Sequence, residues 1–245
     1  MNRIISVLAG FGATVLSLNV NAQSADQILG KADSVLNAAN DAKVTSTMTI
    51  TDKGGAKRER TLELYQKGND KRLVRFLTPA DQKGIAFLSL PGDNQFLYLP
   101  AFGKVRRIAS HVKNTKFAGT DYSYEDLEAK RYTAQWDASL KSKNASEYVL
   151  TLKPKKGTKS DYGQLEITIK ADSYYPVRVE FFSKKGVAVK RLTVKEIGKY
   201  NGVLMPKDSE MADLQSGSTT RTVLQGVEVN KGLKDEVFTE RNLAR

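Results

Sequence analysis

The sequence predicts a mainly β fold, an antiparallel meander curling into a barrel or half-barrel, with a helix at its start and a short helical lid. Three observations predict it. An amphipathic helical stripe precedes residue 44, and period-two patterning then runs through residue 229 between clear turn signals. That patterning breaks once, between Ala109 and Lys130.

Ahead of the stripe lies a leader. Asn2-Arg3 give a short positive start, Ile4 to Val20 form an apolar run, and Val20-Asn21-Ala22 is a small-x-small site. This pattern reads as a secretory signal peptide over 1–22, cleaved near Ala22, with 23–245 remaining as one domain. The run is short for a membrane span and no stop-transfer pattern follows it, so a retained anchor is the lesser alternative. The chain has no cysteine. That excludes a cysteine-linked lipid anchor, disulfides, thiol catalysis and thiolate metal sites. No Pro/Gly/Ser-rich linker divides the remainder. The expectation is an exported, periplasmic protein.

The helix is justified by Ile28, Leu29, Ala32, Val35, Leu36 and Ala39, which share one stripe, while Asp26, Lys31, Asp33 and Asn37 lie elsewhere. Ser24 or Asp26 can cap its start. From Val44 the period becomes two, and strands are predicted over 44–51, 60–66, 71–77, 84–90, 94–99 and 103–109. Beyond the break they resume at 131–137, 147–153, 163–171, 176–183, 187–198, 203–213 and 219–229. Gly54-Gly55, Lys184-Lys185-Gly186, Asn201-Gly202 and Ser216-Gly217-Ser218 mark turns. Within the break, Ser123 to Ala129 reads as a short helix opened by a Ser123/Asp126 capping box. Insertions of this size in a meander are usually functional, and this one reads as a lid.

The net charge is +12, of which the leader holds Arg3 alone. Such a field attracts nucleic acid, anionic membrane or an acidic partner. Export argues against nucleic acid. In runs such as Arg72-Leu73-Val74-Arg75 the basic residues alternate with apolar ones, as on a solvated sheet face. The sharper alternative is transient docking to a membrane surface or a transporter.

Catalytic patterns are missing. His111 is the only histidine, and no Gly-x-Ser-x-Gly elbow exists for it to serve, so it reads as a surface-loop residue. Asp121, Glu125, Asp126 and Glu128 do not have EF-hand spacing. Three of them fall in the first turn of the predicted lid helix, where the dipole favours negative charge. No Gly-rich phosphate loop is present. The expectation is a protein without catalytic residues, metal or cofactor.

Two neighbouring segments, Gly84-Ile-Ala-Phe-Leu-Ser-Leu-Pro-Gly92 and Asn94-Gln-Phe-Leu-Tyr-Leu-Pro-Ala-Phe102, are apolar on both faces. A half-barrel has two places for such faces, a packed core and an open concave surface that a lid can cover. Enclosing an acyl chain there yields about 0.8 kcal/mol per methylene. A filled barrel core is the equal alternative from pattern alone.

The segment Arg75-Phe-Leu-Thr-Pro79-Ala-Asp-Gln-Lys-Gly84, with Phe87-Leu88, Phe96-Leu-Tyr98-Leu-Pro100-Ala-Phe-Gly103-Lys-Val-Arg106-Arg107-Ile and Phe117-Ala-Gly119-Thr-Asp121-Tyr-Ser-Tyr124-Glu-Asp126-Leu, carries a resemblance. It resembles the outer-membrane lipoprotein-sorting (LolA-like) proteins, in the branch associated with RND/MMPL-type exporters. The resemblance implies an unclosed half β-barrel whose concave face is covered by helices, a hydrophobic cavity and no catalysis. It further implies a monomeric carrier of lipid or lipoprotein acyl chains, served by an inner-membrane RND/MMPL-type or ABC exporter. A lipid-sensing accessory subunit is the alternative.

Expected wall and lid residues are Leu29, Val35 and Leu36 from the helix, with Phe87, Phe96, Tyr98, Phe102, Tyr122 and Tyr124. Leu97 and Leu99 form an equally apolar opposite face of 94–99, so the inward face stays open. Arg106 or Arg107 is expected to pair with Asp121 or Asp126 and pin the irregular segment across the barrel mouth.

Overall fold

In a computed structural model, residues 23–244 are described, and the expected signal peptide and its cleavage site lie outside them. Helix α1 (Ala25–Leu36) opens the fold. The capping box at its start is formed by Ser24 and Gln27, each side chain accepting from the other's backbone N–H. Ile28, Leu29 and Ala32 are buried on its inner stripe.

Thirteen strands follow: β1 (Asp41–Thr51), β2 (Lys57–Lys67), β3 (Lys71–Thr78), β4 (Ala86–Leu90), β5 (Asn94–Leu99), β6 (Lys104–Arg107), β7 (Trp136–Lys143), β8 (Glu147–Pro154), β9 (Tyr162–Lys170), β10 (Pro176–Ser183), β11 (Ala188–Tyr200), β12 (Val203–Asp213) and β13 (Thr219–Val229). They make one antiparallel sheet in the order β6-β5-β4-β3-β2-β1-β13-β12-β11-β10-β9-β8-β7. Every neighbour in it but one is also a neighbour in the chain. The exception is β1 with β13, which pair along their whole length, from Ala42 opposite Val229 to Thr51 opposite Thr219. The sheet does not close, and its free edges are β6 and β7.

That order fixes the path of the irregular segment. It leaves one edge at β6 and must reach the other at β7, so residues 108–135 cross the concave face as a strap. Asn201-Gly202 makes the tight β11–β12 turn with both residues at positive φ, 46° and 86°, as this dipeptide favours.

Two local expectations are corrected. Ser123 to Ala129 is not a helix: Ser123 bridges to Lys116, and a turn follows over 124–127. The reciprocal Ser123/Asp126 bonds do form, at 2.7 and 3.3 Å, but only Leu127 N–H reaches back four residues, to Ser123 O. Partners across the sheet claim the segment's carboxylates and hold it away from a regular helix. The strand expected over 131–137 begins instead at Trp136, after a short helix α2 (Tyr132–Gln135). The Asp33 carboxylate from α1 accepts the N–H groups of Tyr132 and Thr133 at 2.9 and 2.8 Å, doing the work of an absent local cap.

The C-terminal stretch, ending in α3 (Glu240–Leu243), returns over the convex face. Phe238 and Leu243 there bury Leu73, Ala86 and Leu88, with Phe96 and Tyr98 packed at the margin.

Candidate functional site

The concave face is filled from two sides. On the β7–β12 side, α1 lays Ile28, Leu29 and Ala32 against Leu150, Leu165 and Ile167. On the β1–β5 side, the strap inserts Phe117 and Leu127 among Phe76, Phe87 and Val74. Phe117 stacks on Phe76 at 5.3 Å between ring centroids and meets Phe87 and Tyr124 at 6.0 and 5.7 Å. Such aromatic pairs add about 0.5–1.5 kcal/mol beyond burial.

Between these two fillings the sheet remains uncovered, and a cavity of about 380 Å³ lies there. Its floor is Val44 and Met48 of β1, Leu62 and Leu64 of β2, and Val74 of β3. Its far wall is Leu192, Met205 and Leu224 of β11–β13, and its rim is Leu36, Tyr122 and Leu127. Leu64, Leu192, Met205 and Leu224 are only half-buried although they face inward, because the cavity is what they face. The volume falls within the range of roughly 300–1,000 Å³ usual for small-molecule sites.

Polar contacts pin the strap across this gap. Asp121, 1 % exposed, accepts from Lys116 Nζ at 2.8 Å, from Thr220 Oγ1 at 2.8 Å and from Ser218 Oγ at 2.5 Å, which ties it to β13. Asp126 accepts from Lys190 Nζ of β11 and the Tyr162 hydroxyl of β9, both at 2.8 Å. Glu125 takes Ser160 Oγ and the Asp161 N–H, and Glu128 takes Gln95 of β5 with Lys113 and Lys130. Arg60 of β2 donates to the Ala118 carbonyl.

Burial sets the electrostatics. Desolvation pushes the Glu125 carboxyl above its usual range, although Ser160 and the Asp161 N–H pull the other way. Desolvation also lifts the Tyr122 phenol to about 12, so it stays neutral. Burial works to raise Asp213, yet Lys116 and the N–H groups of Ser216 and Gln215 hold it down at about 2.

The structure brings together only some of the expected residues. Leu36, Tyr122 and Asp126 line the cavity. Phe87 sits beside it under the strap, and Tyr124 of the strap packs on Phe87, both in the Phe117 cluster. Leu29 is fully buried between α1 and the sheet, and Val35 is half-buried on the helix. Phe96 and Tyr98 are corrected: both point to the convex face beneath the C-terminal stretch, and Leu97 is the inward residue, opposite Phe87. Phe102 is also corrected, being 59 % exposed in a one-turn helix over 100–102.

The expected pinning pairs do not form. Arg106 stacks on the Phe102 ring at 5.1 Å, and Arg107 donates to Asn94 Oδ1 at 2.6 Å. Lys190 and hydroxyls from the far side of the sheet, with Lys116 of the strap itself, hold Asp121 and Asp126 instead. Sequence reasoning missed Met48, Leu62, Val74, Met205 and Leu224 as wall residues. Their signal was present as the apolar half of ordinary alternating strands, but nothing local says which such faces remain uncovered.

An open antiparallel sheet, strapped across its hollow side and enclosing an apolar cavity, defines the class of unclosed β-barrels that cover a concave surface with helix and loop. A family model described as "Uncharacterized protein" matches residues 68–245. The chain belongs to that family, and its fold is LolA-like. No curated protein matches the sequence.

Solved structures are similar over nearly the whole chain. A DUF1329 family protein from Desulfovibrio piger is 26 % identical with a TM-score of 0.84, covering 89 % of this chain and 97 % of its own. A protein from Vibrio parahaemolyticus, provisionally described as an outer membrane lipoprotein-sorting protein domain, is 27 % identical with a TM-score of 0.78, at 89 % and 98 % coverage. A LolA superfamily protein from Nitrosomonas europaea shares the fold at 21 % identity and a TM-score of 0.75, covering 90 % of this chain and 100 % of its own.

Proposed function

We propose that this protein is a periplasmic carrier that shelters the acyl chain of a lipid or lipoprotein in its concave cavity, without making or breaking bonds in it. The observation that carries the reading is the apolar cavity of about 380 Å³ left between α1 and the strap. A packed core would have closed this space, because unfilled volume costs stability in proportion to its size. The similarity to a protein described as lipoprotein-sorting supports the direction of traffic, from inner-membrane machinery toward the outer membrane.

Native mass spectrometry with lipid extraction, on the mature protein from its own host, tests this. Bound acyl species are expected, and Leu224→Lys, which places a charge in the far wall, should empty the protein while leaving its circular dichroism unchanged. A protein that is reproducibly empty, and that also takes up no fluorescent acyl probe, would overturn the reading. The hollow face would then belong to a protein partner.

A further inference from the structure

One polar group in the cavity is unlike the others. Arg72 is the second residue of β3, and the strand's period of two places it on the same concave face as Val74 and Phe76. It lines the cavity beside Leu62, Leu64 and Val74. Its Nη2 donates to Gln66 Oε1 at 2.7 Å, and its Nη1 donates to the carbonyls of Leu127 and Glu128, both at a long 3.3 Å. Its Nε is buried and has no partner. None of its hydrogen bonds goes to a carboxylate.

The two carboxylates that share the cavity wall are already engaged. Asp126 is held by Lys190, Tyr162 and the Ser123 N–H, and Glu128 by Gln95, Lys113 and Lys130. Arg72 is therefore a guanidinium in an apolar hollow, without an anion bonded to it and with a donor to spare. Burying an ion this way is costly unless something charged completes it. The guanidinium fork matches the oxygens of a carboxylate or phosphate, which it binds through two parallel hydrogen bonds.

We propose that Arg72 recognises the anionic head of the cargo, which makes the ligand class an acyl amphiphile with a carboxylate or phosphate group held inside the cavity. This rests on the carrier reading and narrows it. Arg72 and Gln66 lie near the β2–β3 turn, at the end of the sheet where Gln66 pairs with Ala42. From there the inward side chains Leu64, Leu62 and Met48 lead along the floor. The head binds at that end and the tail runs over those residues.

The test compares probes that differ only in the head. Binding of oleate, oleyl alcohol and inorganic phosphate is measured on the mature protein and on Arg72→Gln and Arg72→Lys. Oleate should bind the unaltered protein at least about tenfold more tightly than oleyl alcohol, because a charge-assisted hydrogen bond is worth about one factor of ten or more. Arg72→Gln should abolish that preference, bringing the oleate-to-alcohol ratio to about one, and Arg72→Lys should keep part of it. Equal binding of the two probes to the unaltered protein would overturn the proposal and leave the carrier intact. Binding of neither probe would overturn both. Protection by inorganic phosphate alone, with no oleate binding, would mark a free-anion site and also overturn it. If Arg72→Gln does not fold, the oleate-to-alcohol ratio of the unaltered protein and of Arg72→Lys decides.

Discussion

Asp126 shows what a single side chain contributes to the strap. Its side chain is 3 % exposed and its partner Lys190 is 11 % exposed, with Tyr162 completing the group. Removing one member of such a buried pair leaves the other uncompensated, at a cost of about 3–5 kcal/mol. Asp126→Ala should lower stability to urea by an amount of that order, and a cycle with Lys190→Ala should show coupling of about 1–3 kcal/mol. Arg106→Ala and Arg107→Ala should each stay within about 0.5 kcal/mol, since both side chains are exposed. Large losses on the two arginines with none at Asp126 would reverse the assignment. The sequence displays this carboxylate plainly, but its partners Tyr162 and Lys190 lie 36 and 64 residues away. Local spacing pointed to the nearer arginines, and chain proximity was the wrong guide.

At the scale of elements, α1 and the strap are held by different physics. The helix is legible because its stripe and capping box are both local. Leu29, fully buried against β7–β11, should cost about 2–5 kcal/mol when cut to Ala, read as a fall in the urea midpoint. The strap depends on ionised contacts and so on pH. Asp213, bonded to Lys116 of the strap at 2.8 Å, has its carboxyl held at about 2 in the fold, against about 3.9 when unfolded. A depressed carboxyl stabilises fully above the unfolded value and loses that contribution as pH falls toward the folded one. The urea midpoint should therefore decline between pH 4 and pH 2, and Asp213→Asn should flatten part of that decline. A variant with an unchanged acid limb would show that the Lys116 contact contributes nothing. Glu125 acts in the opposite sense. Its raised carboxyl makes its contribution fall as pH rises through the folded value.

For the whole molecule, the strand series was readable because alternation and turn residues are local, and most neighbours in the sheet are neighbours in the chain. The pairing of β1 with β13 was not readable, since register between strands so distant in sequence leaves no local mark. The inward face of β5 was hidden for a related reason. Phe96 and Tyr98 are covered by Phe238 and Leu243, from a stretch that carries no strand pattern. The sheet order carries a mechanical consequence. The two ends of the chain's β series are zipped together at its centre, and the only covalent link between its free edges is the strap. The strap is thus a bowstring across a bent bow. On the proposed carrier function, an acyl chain wide enough to enlarge the hollow would spread β6 from β7 and draw the string taut, and slackening the string would let the limbs part. Loosening it with Asp121→Ala and Asp126→Ala together should speed uptake of a fluorescent acyl probe in stopped flow by about tenfold, since a lowered barrier of about 1.4 kcal/mol suffices. Unchanged uptake would mean that the limbs open without the string.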